Sequence, residues 1–124
     1  MSQAKELTQL LEGLQDNLPK LLDAIIATTD GLAVAHLSNR VGDSIDIHSV
    51  AAMAAAALGL GKRLTSGLYA GGLKEAQVTG EHGQVLIYAI GEKAALALVV
   101  ESSANVGMVN FVARRILPKL SQLM

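Results

Sequence analysis

Residues 50–64 read VAAMAAAALGLGKRL. Alanine is the strongest helix former, and the run holds no proline. Placed at about 100° per residue around a helix axis, Val50, Met53, Ala54, Ala57, Leu60, Gly61 and Leu64 gather on one face. That stripe is expected to lie on the protein's own core. The opposite face carries Ala51, Ala52, Ala55, Ala56 and Gly59, with His48, Lys62 and Arg63 only toward its ends. The outer face of a monomer's helix is normally charged. Here Ala52 with Ala56, and Ala55 with Gly59, form i, i+4 pairs of small residues, so another helix could approach closely and gain van der Waals contact. Two other readings exist. The alanines could serve helix propensity alone, or a loop of the same chain could cover them, although little chain is left over to do so. A second copy is the simplest cover, because two-fold dimers pair one patch with itself.

Working outward from this helix, periodicity switches several times. Leu7, Leu10, Leu11, Leu14 and Leu18 mark one face of an N-terminal helix that Pro19 ends. Leu22–Leu37 reads as a hairpin: Ala24–Thr28 as a strand, Thr29-Asp30-Gly31 as the turn, Leu32–Leu37 as the return. A polar loop at Asn39–Asp43 follows, and Asp46 or Ser44 is placed to cap the central helix. Gly67 is its expected stop. Strands are then expected at Leu73–Thr79, Gln84–Ile90 and Ala94–Val100. The unbroken apolar run Ala95–Val100 marks the last as central and buried on both faces. Val106, Val109, Ala113, Ile116 and Leu120 define a final helix, capped by Ser102 or Ser103, which Pro118 should kink or end near Leu117. The order is α-β-β-α-β-β-β-α, an α+β arrangement.

Composition narrows the function. A chain of 124 residues suits one domain spanning 1–124. It has one Phe, two Tyr and no Trp, so the core must be aliphatic. The absence of cysteine excludes a disulfide framework, a thiolate metal site and a cysteine nucleophile, and fits a reducing cytoplasm. A net charge of −1 with no basic stripe offers nucleic acid no landing surface. The N-terminus lacks the pattern of a signal peptide. The longest apolar run, Val50–Leu60, falls short of the roughly 20 residues that span a bilayer. A cytoplasmic protein without membrane insertion is expected.

Catalytic constellations are missing. His36, His48 and His82 have no ligand-spaced partners, so no metal site is expected. Gly59-Leu60-Gly61-Lys62 fails as a phosphate loop, since position 56 is Ala and position 63 is Arg. Asp23, Asp30, Asp43 and Asp46 read as turn and cap residues, and Glu75 and Glu101 are isolated along the chain. No acid–base pair or nucleophile assembles, so neither enzymatic activity nor a cofactor is expected.

Three stretches carry a likeness. Ala24–Ala35 with its Asp30-Gly31-Leu32 turn, the Ala-rich helix Val50–Leu64, and Ser103–Val109 with Asn105-Val106-Gly107 follow one another as in the roadblock / dynein light chain family. The chain resembles that family, bacterial members included, over nearly its whole length. The resemblance implies a profilin-like fold: a five-stranded antiparallel sheet with the central helix on one face and the terminal helices on the other. It also implies dimers in which central helices pair and third strands meet edge to edge. Leu73, Glu75, Gln77 and Thr79 would then be edge-strand residues of the dimer. Such pairing also hides an aggregation-prone edge. Family members commonly serve as platforms for Ras-like small GTPases, and some stimulate hydrolysis without doing chemistry themselves. Arg63, Arg114 and Arg115 are available, but no motif marks an arginine finger. The expectation is a non-enzymatic homodimeric interaction or scaffold module for a small GTPase. The competing expectation is a small-molecule sensor on the same fold, which scarce aromatics and unconverged polar groups disfavour.

Overall fold

The computed structural model describes residues 3–40, 42 and 44–124. The elements run α1 (Gln3–Asn17), β1 (Leu21–Thr28), β2 (Ala33–Ser38), α2 (Ile47–Gly67), β3 (Glu75–Thr79), β4 (Gly83–Ile90), β5 (Ala94–Glu101) and α3 (Val106–Leu123). All strand pairs are antiparallel, in the order β2-β1-β5-β4-β3. β5 lies at the centre, as its unbroken apolar run requires, while β2 and β3 form the edges.

The sheet separates two cores. On one face Leu7, Leu11 and Leu14 of α1 and Val109, Ala113 and Leu120 of α3 pack on Ile26, Leu86, Leu96 and Leu98. On the other face Ala54 and Leu58 of α2 pack on Ile25, Ile87, Ala95 and Ala97. This is the three-layer arrangement expected from the resemblance. Tyr88 anchors α3 to the sheet. It is fully buried and donates its hydroxyl hydrogen bond to Asn110 Oδ1. Burial, with Glu75 nearby, pushes its pKa up to about 12, so the phenol stays a donor.

The β1–β2 turn uses a single positive φ, +89° at Gly31, and its amide donates to the Thr28 carbonyl at 2.9 Å. The register slips between Ile26 and Ala27, a bulge that bends the edge pair. A Cβ on Gly31 would stand 3.1 Å from Ala52 Cα, so the turn presses on α2 as well. Gly31→Ala is expected to cost about 1–2 kcal/mol, from the left-handed backbone and this contact. Urea unfolding checks it.

Four local expectations change. Leu73 and Lys74 precede β3, which begins at Glu75. Asn105, rather than Ser102 or Ser103, caps α3 by accepting from the Met108 amide at 3.1 Å. α3 runs through Pro118 to Leu123, because buried Leu120 and the packing of Ile116, Leu117 and Leu123 hold its last turns down beyond the missing N–H. Asp23 is no turn residue: it sits within β1 with its carboxylate fully buried. Arg40 Nε donates to it at 2.6 Å and Ser38 Oγ at 2.9 Å. The turn or cap role expected of Asp43 lies outside the described residues.

Asp46 does cap α2, accepting from the amides of His48 at 3.1 Å and Ser49 at 3.4 Å. These bonds, with the Ser49 hydroxyl foremost, hold its carboxyl below the ordinary value of 3.8. A depressed folded pKa means the cap contributes fully above the unfolded value and fades as pH falls through the folded one. Asp46→Ala should therefore lower the melting temperature at neutral pH, and the gap from the parent should shrink below pH 3.8. Calorimetry across that range checks it.

Candidate functional site

The long helix does have two apolar sides, but it is rotated from the expected orientation. Ala51, Ala54 and Leu58 are buried, Ala54 and Leu58 against the sheet. Met53, Leu60 and Leu64, assigned by periodicity to the core, face outward at 62%, 52% and 52% exposure. Ala51 was expected on the outer face and is fully buried instead. Ala55 and Gly59 are half-buried, while Ala52, Ala56 and Arg63 are exposed.

The cause is close approach. The sheet offers small residues, Ala95 and Ala97, under the helix, so the small side of α2 settles there. Gly61 has no side chain, and the Leu73 side chain occupies the space its Cβ would need, at 3.0 Å. Leu73 is thus packed against α2, contrary to its expected place in the edge strand. The Gly31 turn of the same chain comes close to the Ala52 backbone, while Ala52 itself stays exposed.

The free edge of β3 borders this surface. Glu75 forms an ion pair with Arg114 of α3, and Gln77 Nε2 donates to Gln84 Oε1 of β4 at 2.7 Å. Thr79 is exposed. Their positions opposite Tyr88, Leu86 and Gln84 place all three on the α1/α3 side of the sheet. Ala76 and Val78 alternate onto the α2 side, and Val78 is 57% exposed. Since β3 pairs among the described residues only with β4, its outer backbone donors and acceptors are open to another strand.

Between α2 and this part of the sheet runs an apolar groove of about 390 Å³. Val50, Met53, Ala54 and Ala57 form its helix wall, and Val78, Val85 and Ile87 its sheet wall. The Asp23–Arg40 pair lies among its lining residues. Each of those two charges is already neutralised by the other, so the groove offers no unpaired ionic anchor. Periodicity missed Met53, Leu60, Leu64 and Val78 as surface residues. The alternation of the three helix residues with Ala51, Ala54 and Leu58 was visible, but both rows are apolar.

The remaining candidates disperse. Arg114 is engaged by Glu75, and Arg115 lies 5.6 Å over the ring of exposed Phe111. Among the described residues no group of three or more His, Cys, Asp or Glu could hold a metal ion. Nor is any helix there long and apolar enough to cross a membrane.

Comparison with known proteins agrees with this architecture. An uncharacterized protein of Methanocaldococcus jannaschii is 28% identical over 100 residues, covering 81% of each chain. The gliding protein MglB of Thermus thermophilus superposes with a TM-score of 0.87 at 19% identity, covering 99% of this chain and 91% of that one. A Roadblock/LC7 domain of Streptomyces avermitilis gives 0.66 at 28% identity, covering 92% and 97%. The sequence pattern of the Roadblock/LC7 domain matches residues 7–100. The chain belongs to the Roadblock/LC7 domain family.

Proposed function

We propose that this chain is a non-enzymatic, cytoplasmic, homodimeric interaction module that serves as a platform or regulator for a Ras-like small GTPase. The observation that carries it is the outward row Met53, Leu60 and Leu64, continuous with Val78 and the open β3 edge. Water contact there is unfavourable by about 25 cal/mol per Å² of apolar surface. A two-fold partner that adds its own β3 and α2 covers helix row and edge together. Within this reading Ala52, Ala56, Arg63, Glu75, Gln77 and Thr79 would contribute to the interface, and the buried Ala51 would not.

The GTPase reading rests on family membership and on the likeness to a gliding protein of the same fold. Two measurements test it. Sedimentation equilibrium at micromolar concentration should give twice the chain mass. Pull-down from the native cell should retain a small GTPase in a nucleotide-dependent way. A monomer, or retention indifferent to nucleotide, would defeat the corresponding half of the proposal.

The groove supports a second reading, a small-molecule sensor, because its volume falls within the range of ligand pockets. Its self-neutralised ion pair and its scarcity of other polar groups favour a protein side chain as occupant instead. A metabolite that raises the melting temperature and is displaced by Val85→Trp would support the sensor.

A further inference from the structure

The chain's only phenylalanine is on its surface. Phe111 of α3 is 60% exposed, and Met108, one turn earlier, is half exposed. Both belong to the α1/α3 layer, across the sheet from α2. Met108, Phe111, Arg115 and Lys119 follow at spacings of 3, 4 and 4, so they form one outward stripe along the helix. At one end the stripe borders an apolar cleft of about 230 Å³, where α1 ends and α3 begins. Leu18, Leu21, Val100, Ala104 and Met108 line the cleft, and Lys20 is the one ionic residue in its wall. Toward the other end Arg115 lies 5.6 Å over the Phe111 ring. Among the described residues neither Arg115 nor Lys119 has a carboxylate partner, whereas Arg114 is engaged by Glu75. Val106–Leu123 contains no Asp or Glu, although acidic residues outnumber basic ones in the chain, eleven to ten.

We propose that this stripe docks an acidic amphipathic helix of a partner protein. One apolar side chain of that helix enters the cleft beside Met108, a second covers Phe111, and its carboxylates meet Arg115 and Lys119. Charge selects the partner, because the stripe ends in two unpaired cations on a helix without acids. Arginine binds carboxylates in forked pairs, and the aromatic face beside Arg115 holds its guanidinium at the surface. Size and shape exclude the other occupants. The cleft is smaller than ligand pockets, which take roughly 300–1,000 Å³, but it is ample for a leucine. A flat bilayer leaves a concave cleft unfilled. Lipid-binding clusters also need about four to eight Lys or Arg, and one of the three on α3 is spent on Glu75. A second copy of α3 offers no carboxylate. From Met108 to Lys119 the stripe is about 16 Å long, which three turns of a partner helix cover. The inference holds for one copy or two, since it uses neither α2 nor the β3 edge.

The probe is a fluorescent peptide of about fourteen residues, two repeats of Leu-Glu-Glu-Leu-Leu-Glu-Glu, whose leucines recur at helical spacing. Titrated with the full chain at low salt, it should bind saturably with a dissociation constant of about 100 µM or tighter. Added salt should weaken it. Amide shifts should move at Lys20, Ala104, Met108, Phe111 and Arg115. Phe111→Ala and Arg115→Glu should each weaken binding about tenfold or more. Both positions are exposed, so the melting temperature should change little. The inference is overturned by absence of saturable binding, by shifts confined to α2 and β3, or by variants that bind as the parent does. Equal binding of the peptide with Lys in place of every Glu overturns it as well. So does a chain that ignores the peptide but sediments with vesicles of phosphatidylserine and phosphatidylcholine in equal amounts, which would assign the stripe to an anionic membrane.

Discussion

Leu60→Glu is expected to leave the protein monomeric at concentrations where the parent is a dimer. Leu60 is half exposed in the single chain, so the folded monomer accepts the carboxylate in water. In the proposed dimer the same position is covered by the partner's α2 and β3. The variant loses the burial of an isobutyl group, about 2 kcal/mol, and must also desolvate a charge with no partner, which costs at least as much again. The two-fold axis repeats this loss in both copies, so the total is about 8 kcal/mol, roughly a millionfold in the dissociation constant. Sedimentation equilibrium would show it, with circular dichroism confirming that the fold persists. The matching control is Ala55→Glu. Ala55 is half-buried on the flank away from β3, so that variant should retain more of the dimer than Leu60→Glu does. The opposite ranking would return the interface to the alanine face and remove the case for the leucine row.

Leu98→Ala should strike stability rather than association. Leu98 is fully buried in β5, between Ala24 of β1 and Leu86 of β4, under the α1/α3 layer. Removing its three outer carbons leaves a cavity that neighbours on both sides hold open. The expected loss is about 3 kcal/mol, a large share of the roughly 5–15 kcal/mol that holds a domain of this kind together. The melting temperature should fall by about 10 °C. A fall of only a degree or two would mean that the helices collapse into the space and that this core is softer than its packing indicates.

Much of this architecture was legible in local chemistry. The spacing of Leu7, Leu11 and Leu14 identified α1, Asp30-Gly31 located the hairpin, and Ala95–Val100 marked the central strand. These signals depend on residues near one another in sequence. The rotation of α2 does not. The row through Val50, Met53 and Leu60 and the row through Ala51, Ala54 and Leu58 are both apolar, so periodicity alone favours the bulkier one as core. What decides against it is distant: Ala95 and Ala97 beneath the helix, and Leu73 folded onto Gly61. Asp23 was hidden for a similar reason. A lone aspartate beside a strand reads as a turn residue until Ser38 and Arg40 arrive from the neighbouring strand and the loop beyond it.

The opposite margin of the sheet bears on how far association can go. In the proposed dimer, joining two β3 strands would consume that margin in both molecules and leave the two copies of β2 outermost. β2 has six residues, the register slip at Ile26/Ala27 disturbs its pairing with β1, and it exposes His36 and Ser38. A short, bent, polar rim is a poor template for further strands. In that dimer, strand addition would therefore end at a finite particle instead of propagating into a fibre.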